Sequence, residues 1–185
     1  MTWIVLLLLR LVTGGLLIGH GAQKLFGAFG GKGVEGTAKG FRKMGLDPAE
    51  EWAQVAGAAE IAGGGLIALG LLSPIGPIIT TAPMIVAWRK GHGDKPIWSN
   101  QGGAELPLTN LTIATALILA GPGAISVDHV LGIKTPWWLS VLAIVGTAAG
   151  IAVALGDDIH EAAEAIRRDE AVTAPHMTEE LPAAR

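Results

Sequence analysis

Residues 3–26 read WIVLLLLRLVTGGLLIGHGAQKLF, and this stretch decides the fold. An α-helix of that length crosses a hydrocarbon core about 30 Å thick, and only Arg10, His20 and Lys24 within it can carry charge. No basic region precedes the apolar run and no A-x-A site follows it, so it reads as a retained crossing and not as a cleaved leader. Four further apolar segments follow, at about 51–72, 74–90, 106–121 and 137–155. Ser73-Pro74 marks a tight turn, Pro83 a kink, and Gly121-Pro122-Gly123 a stop. Trp137 and Trp138 mark the headgroup level at which the fifth segment opens.

Composition points the same way. Charged residues make up 16% of the 185, against about 25% in a soluble domain. The 27 glycines are about twice the usual share and suit helices packed backbone against backbone. There is no cysteine, so this chain alone carries no sulfur relay, iron–sulfur ligation or thiolate zinc site. The net charge of −3 divides unevenly: residues 1–156 hold 10 basic and 8 acidic side chains, residues 157–185 hold 3 and 8. The expected class is thus an all-α integral membrane protein. Residues 1–156 form a transmembrane helical bundle, and 157–185 an acidic tail that begins as a surface helix and ends in a polar stretch without fixed structure. Membrane lipid is an expected partner and nucleic acid is not.

Five crossings put the two long, glycine-rich loops and the tail on one side with 11 basic residues, and leave Lys134 alone on the other. The positive-inside rule then sets the N-terminus outside and the C-terminus in the cytoplasm. Gly30-Gly31-Lys32-Gly33 lacks the spacing of a phosphate loop.

Ionisable groups inside the bilayer each need a partner or a purpose. Arg10 and His20 lie about 15 Å apart along the first helix, with Glu60 of the second between them in depth. Two readings stand: a buried Arg10–Glu60 ion pair that locks the helices, or a polar cavity in which Arg10, His20 and Glu60 bind a ligand or relay protons. Lys24 taken alone reads as a snorkelling boundary charge. His92, Asp94 and Glu105 share a loop whose spacing matches no named metal site, and no metal is expected. Asp128-His129 reads as a hydrated turn, and His160 and His176 as solvated tail residues. Gly146, Gly150 and Ala154 form a packing groove for a helix of this chain or of another copy, which leaves a homo-oligomer open.

In these residues the chain resembles the DoxX family of small bacterial membrane proteins. The resemblance rests on Leu9-Arg10-Leu11 with Gly14, on the run Gly19 to Gly27, on Gly57 to Gly64, on Leu69-Gly70-Leu71, on Gly102 to Pro107 and on Gly121 to Asp128. It implies a four-helix transmembrane bundle in a bacterial plasma membrane, to which this chain adds a fifth helix. It also implies association with membrane oxidoreductase assemblies, the family being named for a thiosulfate:quinone oxidoreductase. Arg10, His20, Lys24, Glu60 and Glu105 are the positions it marks, none of them assigned a catalytic role. The expectation is a membrane subunit that docks a redox partner at its cytoplasmic face and binds quinone or another lipophilic ligand, with no intrinsic cofactor. A small-solute carrier and a structural anchor are the alternatives.

Overall fold

Apolar side chains on one face and small or polar ones on the other set how the first helix packs. In the computed structural model, which describes residues 2–173, α1 (Thr2–Phe26) buries Arg10, Thr13, Gly14, Leu17 and Gly21 and turns Leu8, Leu11, Val12 and Leu16 outward. The helices that follow are α2 (Gly33–Lys43), α3 (Ala49–Leu69), α4 (Ile75–Val86), α5 (Glu105–Ala120), α6 (Val127–Leu131), α7 (Trp137–Ala154) and α8 (Gly156–Thr173). There is no strand among the described residues. The end of the tail, with His176, lies outside them, as does the side chain of His160.

Glycines bring α1 and α3 into backbone contact. A Cβ added at Gly14 would sit 2.5 Å from the Gly64 carbonyl oxygen, and one at Gly21 would sit 2.5 Å from that of Gly57. Both contacts belong to one antiparallel register. Gly63 and Gly76 join α3 to α4 in the same way, a Cβ on Gly76 falling 2.9 Å from the Gly63 carbonyl. Leu17, Ile67, Met84 and Leu117 then meet as the core of the four helices α1, α3, α4 and α5. The fifth apolar helix, α7, leans on α4 from outside and buries only Ala154 of its own length.

Helices α1, α3 and α7 are long and apolar enough to cross a membrane. α5 is apolar but spans 16 residues, and α4 spans 12 before continuing as a π-helical turn, Ala87–Gly91. Successive long helices alternate in direction. The 70–75 turn and the 121–136 connection therefore gather at one end, the turn end, where Asp128 accepts from the Leu72 and Ser73 amides. The loops 27–48 and 92–104 gather with α8 at the other, the loop end, where Lys90 pairs with Asp158 at 2.6 Å.

The first loop departs from the expectation of an irregular, glycine-rich connection. α2 occupies it, with Ala38 buried against Ala49 and Ala53 and with Val34 and Phe41 alongside. Burial of this face outweighs the poor helix propensity of Gly36 and Gly40.

Candidate functional site

The polar residues of the bundle separate into two groups. At the turn end Arg10 is 3% exposed and donates from Nε to the Ile67 carbonyl (3.0 Å) and from Nη2 to that of Ala68 (3.1 Å). Its Nη1 donates to Ile125 (2.9 Å) and also to Pro122. The Ala68, Pro122 and Ile125 carbonyls belong to a helix end or a loop, the Ile67 carbonyl also accepts from the Gly70 capping amide, and the α3 pair lies at the negative end of the helix dipole. The planar fork of a guanidinium suits four such acceptors. The expected Arg10–Glu60 pair is therefore corrected. Four residues back from Gly14 the register sets Arg10 beside Ala68, and four residues on it sets Glu60 beside Ile18. The two charges are about 12 Å apart along the axis. Asp128 is also no hydrated turn residue: it is buried and holds the Leu72 and Ser73 amides at 2.9 and 2.8 Å.

Glu60 is met at the loop end by Lys24, with Nζ 2.5 Å from Oε2. Side chains on a helix lean toward its N-terminus, so Lys24 reaches back into the bundle while Arg10 reaches away from it. The snorkelling role expected of Lys24 gives way to this inward pair. Glu60 is 2% exposed. One turn before Lys24, His20 keeps its ring oriented through Nδ1 and the Gln23 Oε1, 3.1 Å apart.

His20, Lys24 and Glu60 together form the polar part of a cavity of about 640 Å³. Its remaining walls are mostly apolar and come from the end of α2 with the turn after it and from α3, α4, α5 and α7, with Asn110 and Thr147 as further polar groups. The 92–104 loop covers its outer edge, held by His92 Nδ1 donating to the Gly102 carbonyl at 2.5 Å. Glu105 does not join the cluster. It accepts from the Ser99 amide (2.8 Å) and hydroxyl and so closes the base of that loop. Among the described residues no three His, Asp or Glu side chains are placed to hold a metal ion. Trp52, Asn110 and Thr147 line the cavity without having been singled out from the sequence. Asn110 carried a signal, as the single amide in a run of apolar residues and threonines.

The site is thus one buried carboxylate neutralised by one ammonium, beside a ring that can donate or accept, at the edge of an apolar space. Such an arrangement can hold a hydrogen-bonding head group while water is kept away. No curated protein and no solved structure matches the chain. The DoxX family model matches residues 5–93, the segment from α1 through the π-helical turn that contains Arg10, His20, Lys24 and Glu60. With this match, an all-helical bundle and helices that can span a bilayer, the chain is a multi-pass membrane protein of the DoxX family.

Proposed function

We propose that this protein is the membrane subunit of an oxidoreductase assembly and that its cavity holds a lipophilic ligand of the quinone class. One observation carries the reading: the Lys24–Glu60 pair and His20 stand at the edge of a mostly apolar space of about 640 Å³, within the range of small-molecule sites. A quinone head offers carbonyl acceptors to His20 and Lys24, and its ring suits the apolar wall of Phe41, Met44 and Trp52. The loop end faces the cytoplasm in this proposal, following the excess of basic residues there, and the redox partner docks on that face.

Mild-detergent purification with mass spectrometry of bound lipids and proteins tests the reading. Quinone and a copurifying redox enzyme are expected, and wild-type protein that retains neither refutes it. His20→Phe should abolish quinone retention and leave the thermal midpoint unchanged; lost stability with unchanged retention would make His20 structural. Cysteines introduced singly by Gly40→Cys and Lys134→Cys test the orientation, since the chain has no other thiol. An impermeant reagent applied to intact cells should label only the second.

A further inference from the structure

The cavity does not end at its polar group. It continues along α7, where Gly146, Thr147 and Gly150 line it together with Pro83 and Val86 of α4, the helix on which α7 packs. A Cβ added at either glycine would meet no atom within 4 Å, unlike those on the α1–α3 seam, which would strike backbone. Glycines at a helix contact are ordinarily filled by the neighbouring backbone, and here they border open space. Gly146 to Gly150 is one helical turn, about 6 Å of slot, and Leu142 extends it to about 12 Å.

We infer that this slot holds the apolar chain of the ligand, so that the site takes a chain-bearing amphiphile and α7 sets its preference for the chain. The inference rests on the ligand reading above and adds its class: a compact hydrogen-bonding head at Lys24, Glu60 and His20, joined to a hydrocarbon chain lying along α7. The polar group lies in the segment the family model matches, and the slot wall lies beyond it. The two halves are therefore separable by substitution.

The test uses the full chain in phosphatidylcholine nanodiscs and two probes, a decyl-substituted benzoquinone and the same ring without the chain. Binding is read from quenching of Trp52, taken as the difference from Trp52→Phe. Partition into the bilayer is common to wild type and variant and cancels between them. In Gly146→Leu/Gly150→Leu the chain-bearing probe should weaken by about tenfold or more, the contact of roughly two buried methylenes, and the chainless probe should not change. Gly146→Ala, with a smaller side chain, gives a graded loss at an unchanged thermal midpoint. Equal weakening of both probes, or of neither, overturns the slot. A spin-labelled fatty acid separates the two levels of the proposal. If no quinone binds wild type but the fatty acid does, and is lost in the variant, the slot stands and the quinone reading falls. If neither binds, both fall.

Discussion

Arg10 and Glu60 are both nearly inaccessible charges in the same helix pair, and they are compensated in opposite ways, one by carbonyl dipoles and the other by an opposite charge. Arg10 spends its donors on four main-chain carbonyls contributed by α3 and the 121–126 connection. Main-chain acceptors are fixed once the helices are in place, so this end is a clasp with nothing left to exchange. Glu60 depends on a single long side chain, Lys24, itself partly exposed, and opens onto a cavity. A partner that can swing away is a partner that a ligand can replace. The difference teaches that the number and stiffness of a buried charge's partners, more than its burial, separate an architectural site from a binding one.

The sharpest way to break this contrast is Arg10→Met, which removes four hydrogen bonds to main-chain carbonyls at once. We expect a loss of about 5 kcal/mol in detergent unfolding, or no folded protein. Arg10→Lys should recover under half of it, because an ammonium lacks the planar fork. Glu60→Gln comes next, at about 3 kcal/mol, and Lys24→Met combined with Glu60→Gln should return most of that loss. Additive losses in the double variant would mean that the two side chains are not coupled. Gly64→Ala should cost about 2 kcal/mol, since its methyl meets the Gly14 carbonyl at 2.7 Å and backbone must move. Because both ends hang on that seam, it should lower ligand retention as well as the thermal midpoint. The smallest effect belongs to Asp128→Asn, which keeps one acceptor for the Leu72 or Ser73 amide and gives up the other, at about 1 kcal/mol.

The membrane class and the helical fold were legible because an apolar run such as 3–26 has few other solutions. The contents of the first loop were less so. Val34, Ala38 and Phe41 recur at helical spacing, but three glycines within α2 hide the pattern behind a composition typical of loops. Pairing inside the bundle was the least legible. Depth along each helix brought Arg10 and Glu60 within plausible reach, and the direction in which each side chain leaves its helix decided otherwise. That direction was available in principle: a long cation near the start of a helix leans outward and one near its end leans inward. What no single helix encodes is the offset between two of them, which here comes from Gly14 meeting Gly64 and Gly21 meeting Gly57.

Those paired glycines also bear on how the molecule can move. Each pair is seven residues from the next on both helices, so sliding α1 along α3 by one turn would set Ala68 or Glu60 against Gly14, where there is no room for a side chain. Lengthwise travel is blocked, and α1 and α3 form one rigid strut. Any change in cavity size has to come from the helices that lack such a key, above all α7, which touches the rest through α4 and α8. The strut is the fixed frame of the protein, and α7, packed on α4 without a glycine key, is the wall against which a change in cavity size would be made.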